Sequence, residues 1–136
     1  MTPGEILHYR NYKLPDGSYA NKFVLQLNDG QNYPFILARL TSQHRHYSRS
    51  SGCQNDDRFP NYYLPKETKH MPEDSWILFS DLKELDAESF NRCVKNKTLI
   101  QKSKLSTSIF NEILDCLIDS DDISGIQKDI LRKIRR

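Results

Sequence analysis

The chain has 136 residues, of which 37% are hydrophobic and 28% charged, and a net charge of +2. That length suits one domain with a modest core. Apolar runs such as Phe35–Leu37 and Trp76–Phe79 need burial, which argues against full disorder. With so small a net charge whole-chain electrostatics says little, and no apolar stretch approaches the roughly 20 residues that cross a bilayer.

The three cysteines, Cys53, Cys93 and Cys116, are far apart and form no CxxC pair. Their spacing fits neither a zinc ribbon nor a disulfide scaffold, and is expected of a reducing cytoplasm. The N-terminus lacks a charged stretch followed by an apolar run, so no signal peptide is expected. Basic residues collect at Arg39, Arg45 and Arg49 and in the C-terminal tail from Lys128 to Arg136, whereas Lys66 to Asp86 is rich in acids.

In chain order, Pro3-Gly4 opens a turn. Glu5 to Tyr12 then reads as a strand, with Ile6, His8 and Arg10 on one face and Leu7 and Tyr9 on the other. Leu14-Pro15-Asp16-Gly17-Ser18 is a turn signal: proline presets one torsion and glycine accepts positive φ. Tyr19 to Leu27 alternates as a second strand. Asn28-Asp29-Gly30 predicts a tight hairpin, and Tyr33 to Leu40 is a third strand. The first forty residues read as an antiparallel meander. Residues 44–60 form a long polar loop, a kind usually functional or mobile. Tyr62–Leu64 is a short strand. Ser75–Phe79 is apolar on both faces and predicts a central strand.

The period then changes. Asp86 is a candidate N-cap for a helix through Phe90, Cys93 and Val94. Ser106 to Ile118 is the clearest helix: Ile109, Phe110, Ile113, Leu114 and Leu117 share one face. Ser106 or Thr107 can cap it. Ser124 to Ile134 is a last amphipathic helix. Strands first and helices last predict an α+β domain, a small antiparallel barrel or curled sheet at about 3–81 followed by C-terminal helices at about 86–135.

The densest chemistry lies in Arg39-Leu40-Thr41-Ser42-Gln43-His44-Arg45-His46. The hydroxyls of Thr41 and Ser42 can bind a phosphate oxygen or cap the strand end; capping is the commoner role. His44 and His46 can exchange protons near neutral pH, although an imidazole on a polar loop is more often simply solvated. Lys22 begins the strand next to the third and can reach Thr41, where a cation would stabilise charge building on a phosphate, although surface lysines that do nothing are commoner. Asp81 can act as a base or can start a turn. No metal motif and no glycine-rich phosphate loop is present. Tyr47, Phe59, Tyr62 and Tyr63 are interleaved with Arg45, Arg49 and Arg58, a mixture of rings and cations suited to single-stranded nucleic acid or, for Tyr62 and Tyr63, to core packing.

The ordered motifs Pro3-Gly4-Glu5-Ile6, Lys22-Phe23-Val24-Leu25, Leu40-Thr41-Ser42-Gln43, Ser75-Trp76-Ile77-Leu78-Phe79-Ser80-Asp81 and Leu105-Ser106 with Phe110-Asn111-Glu112-Ile113-Leu114 resemble those of the MazF/PemK toxins, the ribonucleases of toxin–antitoxin pairs. The resemblance spans residues 3 to about 118. It implies an SH3-like barrel, a homodimer, a cognate antitoxin, and cofactor-free, metal-independent cleavage of single-stranded RNA by attack of the ribose 2′-hydroxyl. It implies phosphate binding by Thr41 and Ser42, transition-state stabilisation by Lys22, and acid or base work by Asp81. Arg39, Arg45, Tyr47 and Arg49 are candidate RNA contacts, and His44 and His46 candidates to replace missing groups. Lys22-Phe23 stands where the family usually has Arg-Pro, and Phe79 where some members place an arginine. The alternative is a catalytically inactive SH3-like barrel that binds protein or nucleic acid.

Overall fold

A computed structural model describes residues 1–43, 47–49, 52–69, 71 and 73–135. His44, Arg45 and His46 lie outside the described residues, and so do the roles expected of them.

Among the described residues seven antiparallel strands form one sheet: β1 (Glu5–Lys13), β2 (Tyr19–Gln26), β3 (Phe35–Thr41), β4 (Gly52–Gln54), β5 (Asn61–Leu64), β6 (Ser75–Leu85) and β7 (Leu99–Lys104). Their spatial order is β4-β5-β6-β3-β2-β1-β7. The helices are α1 (Lys66–Lys69), α2 (Ala87–Lys95), α3 (Thr107–Ile118) and α4 (Gly125–Ile134). The fold is α+β, as expected. The sheet is open, with β4 and β7 at its edges, and the expected closure into a small barrel is not seen in these pairings. No described helix is long and apolar enough to cross a membrane.

The meander forms because alternation on β1, β2 and β3 supplies apolar residues to both faces. Ile6, Leu25, Ile36, Ala38 and Leu40 join Ile77 and Phe79 under Phe110, Ile113, Leu114 and Leu117 of α3, with Leu131 of α4 at the margin. On the opposite face Leu7, Val24, Phe35 and Leu37 pack against Phe90 of α2 in a smaller core, where the Phe35 and Phe90 rings stack at 3.8 Å. α3 and α4 therefore cover one face, and α2 covers one end of the other. Each of these helices is started by a side chain that accepts an otherwise unpaired N–H: Asp86 from Ser89, Ser106 from Ile109 and Ser124 from Gln127.

Several expectations need correction. The helical region from 86 to 135 is interrupted by β7, which returns to pair with β1. Its sequence, Leu-Ile-Gln-Lys-Ser-Lys, is polar because it is an edge, and edge lysines discourage further strand pairing. The expected hairpin at Asn28-Asp29-Gly30 is a wider loop from Leu27 to Pro34. Pro34 has no N–H to extend the ladder, so the Asn28 side chain binds Pro34 O and Ile36 N instead. Strand β6 runs to Leu85, which places Asp81 within a strand rather than at a turn. β4 lies inside the stretch read as loop. Finally, Cys53 and Cys116 form a disulfide across 63 residues, leaving Cys93 free. Their separation concealed this, because it is the packing of β4 beside α3 that makes them neighbours.

Candidate functional site

Where α2 ends, the second face of the sheet is left to polar and aromatic side chains. Two irregularities in the ladders assemble them. Between Ala38 and Leu40 of β3 only Arg39 intervenes, whereas β6 has residues 78–81 between the partners Ile77 and Leu82. This bulge swings Asp81 onto Arg39, and Arg39 Nε donates to Asp81 Oδ2 at 2.5 Å. The pair is largely buried, at 13% and 17% side-chain exposure, so it is less screened than a surface pair.

The second irregularity is in β1. Tyr9 pairs with Lys22 and Tyr12 with Ala20, so β1 carries one residue more than β2. Asn11 absorbs it at φ 56°, a conformation asparagine tolerates better than most residues. Its N–H donates to Asn21 Oδ1 at 3.2 Å. As a result Tyr9 and Tyr12 face the same way, with ring centroids 5.1 Å apart. The Tyr12 hydroxyl donates to Asp81 Oδ1 at 3.3 Å. Burial, reinforced by the Asp81 charge, pushes the Tyr12 phenol far above its ordinary range. The Lys83 ammonium sits over both rings, 5.6 Å from Tyr9 and 5.2 Å from Tyr12.

Lys22 completes the group. The β2–β3 register ends at Val24 opposite Arg39; continued two residues, it brings Lys22 opposite Thr41. Burial lowers the Lys22 pKa, and repulsion from Arg39 lowers it further. Lys22 also lines a cavity of about 220 Å³ with Ser42, Asn21 and Glu73. Thr41 and Ser42 part company here. Thr41 is buried and its Oγ1 accepts the Gln43 N–H at 3.2 Å, the capping role, whereas Ser42 is exposed on the cavity.

Beyond Thr41 the face becomes aromatic. Trp76 lies between Thr41 and Tyr63 in the ladders. Tyr47 stacks on it at 6.1 Å, Tyr63 packs at 5.3 Å, and the indole N–H donates to Ser48 O. Phe59, 42% exposed, meets Tyr47 edge-on, with the Arg58 guanidinium over its ring. Tyr47 is close enough to Arg39 for that charge to oppose the rise that burial causes in its pKa. Tyr62, by contrast, is core: it is buried and donates to Glu112. Arg49 is exposed and reaches Asp74 only at 4.0 Å.

The structure thus gathers Lys22, Arg39 and Asp81, sets Tyr47 beside them and places Ser42 on a cavity with Lys22. Sequence reasoning missed Tyr12 and Lys83. Asn11, a residue suited to positive φ, was the one local signal that β1 would break its alternation. Among the described residues no group of three or more His, Cys, Asp or Glu is placed to hold a metal ion. The chain matches no protein-family model and no curated protein.

Proposed function

We propose that the protein is an endoribonuclease of the MazF/PemK kind, cleaving single-stranded RNA without a metal. The observation that carries this reading is that Lys22, which lines a cavity with Ser42, shares a sheet face with Arg39, against which Asp81 is held. Two cations there can hold a phosphodiester and stabilise the charge that gathers on its oxygens as the 2′-hydroxyl attacks. Arg39 supplies the planar, bidentate cation that Lys22 cannot. The Tyr47 and Phe59 rings, with buried Trp76 behind Tyr47, suit unstacked bases.

In this reading the open sheet is a splayed form of the SH3-like barrel, with the long, bulged β6 pairing with both β5 and β3. A second copy and an antitoxin are the protein partners, and the cytoplasm is the compartment. The Cys53–Cys116 bridge is the observation against that compartment, because such bridges are rare there. Thiol alkylation in acid-quenched cells decides the point: a bridge intact in cytoplasmic material, or its absence there, fixes the state in which the protein works.

The test is cleavage of a single-stranded RNA in EDTA by wild type, Lys22→Ala and Arg39→Ala, each checked for folding by circular dichroism. Loss of about 10²-fold or more in either variant is expected from removing one charge-stabilising group. RNA left intact by folded wild type, with or without metal, ends the proposal. One observation favours the non-catalytic alternative: Arg39 is already neutralised by Asp81. That alternative predicts RNA or protein binding with no turnover.

A further inference from the structure

We infer that Asp81 and Tyr12 are positioning residues that clamp Arg39, so that its two Nη nitrogens, rather than the Asp81 carboxylate, face the substrate phosphate. This rests on the phosphate-site reading above but reassigns Asp81, which that family resemblance would make the acid or base.

Three observations carry the inference. First, both Asp81 oxygens are engaged: Oδ2 accepts from Arg39 Nε and Oδ1 from the Tyr12 hydroxyl. To take a proton from a substrate hydroxyl, the carboxylate would have to give up one of these two contacts. Second, the contact uses Nε. Among the described residues Arg39 donates to Asp81 through Nε, which leaves the Nη edge, the one that suits two phosphate oxygens, outside the clamp. Third, the clamp is itself fixed. Tyr12 is only 1% exposed, wedged against Tyr9 and under Lys83, and its position depends on the β1 bulge at Asn11. Such support removes the rotamer freedom that a long arginine side chain otherwise loses on binding.

The sign of one binding change separates clamp from base. Deleting a carboxylate beside an anion site ordinarily tightens anion binding, because repulsion is relieved. If Asp81 holds Arg39 in place, Asp81→Ala instead weakens it.

The probe is an RNA oligonucleotide with 2′-deoxy sugars, which cannot undergo 2′-hydroxyl attack, titrated into wild type, Asp81→Ala, Arg39→Ala, the double variant and Tyr12→Phe. We expect Asp81→Ala and Arg39→Ala each to weaken binding about tenfold, the worth of one charge-assisted contact. The double variant should add no more than about twofold, because both changes remove one unit. Tyr12→Phe, which keeps the ring, should weaken binding about threefold with the fold retained by circular dichroism. Asp81→Asn keeps an oxygen for Arg39 Nε; it should retain cleavage within about tenfold with the same pH profile, whereas loss of a general base costs about 10²–10⁴-fold.

Tighter or unchanged binding by Asp81→Ala overturns the clamp, as does a full loss of cleavage by Asp81→Asn with binding intact. Should Asp81→Ala not fold, Tyr12→Phe decides by the same comparison. If wild type binds the oligonucleotide but does not cleave RNA, the nuclease reading fails and the binding series alone judges the clamp. No oligonucleotide binding by wild type overturns both.

Discussion

Breaking the Cys53–Cys116 bridge should cost the protein a large part of its stability. The bridge closes a segment of 63 residues that includes β5, β6, α2 and β7. In the chain-entropy account, restricting a loop of that length in the unfolded chain is worth about 4 kcal/mol at 25 °C. Against total stabilities of about 5–15 kcal/mol this is a large share. Urea unfolding followed by Trp76 fluorescence is the assay, with and without a dithiol reductant, alongside a Cys53→Ala/Cys116→Ala variant. With a slope of about 2 kcal/mol per molar urea, the midpoint should fall by about 2 M on reduction. The reduced wild type and the double variant should coincide closely, and reductant should leave the variant unchanged. Denatured, unreduced protein should show Cys93 as its one reactive thiol. Three reactive thiols before reduction, or a midpoint indifferent to reductant, would refute the reasoning, because the tie between β4 and α3 would then not be covalent.

Other consequences are smaller in scope. Gly17 and Gly30 both have positive φ, but a Cβ at Gly17 meets nothing within 4 Å, whereas one at Gly30 lies 2.3 Å from the Phe35 ring. In thermal unfolding Gly17→Ala should therefore cost about 1–2 kcal/mol of backbone strain, and Gly30→Ala clearly more, through the Phe35–Phe90 stack. Leu114→Ala, at a fully buried site under the sheet, should lose about 3–5 kcal/mol by denaturant titration, whereas exposed Ile126→Ala should stay within about 0.5 kcal/mol. His8 has its pKa lowered from 6.5, first by burial and then by Lys102 and Arg10. The unfolded chain then binds the proton more readily, so the His8 contribution is complete above pH 6.5 and is lost as the pH falls through that region. His8→Gln should flatten this part of the stability–pH curve; an unchanged slope would exclude His8 as its source.

Local pattern was enough for the elements whose physics is local. The alternation of Phe23, Leu25 and Leu27, the apolar face from Ile109 to Leu117, and the caps at Asp86 and Ser106 each state their structure within a few residues. Lys22, Arg39 and Asp81 were legible as chemical groups, and the neighbouring positions of β2 and β3 were legible from the short connection between them. Their assembly was not. The bulges at Asn11 and at residues 78–81 decide which side chains meet, and a shift of one residue moves a strand's side chains to its other face. Tyr12 reaches Asp81, and Cys53 reaches Cys116, across separations of 69 and 63 residues. β7 looks polar because an edge strand buries little, so only its pairing with β1 makes it a strand. Hydrophobic period and capping act along the chain and can be read from it; the site and the bridge arise from contacts between distant segments, which exist only once the sheet has formed.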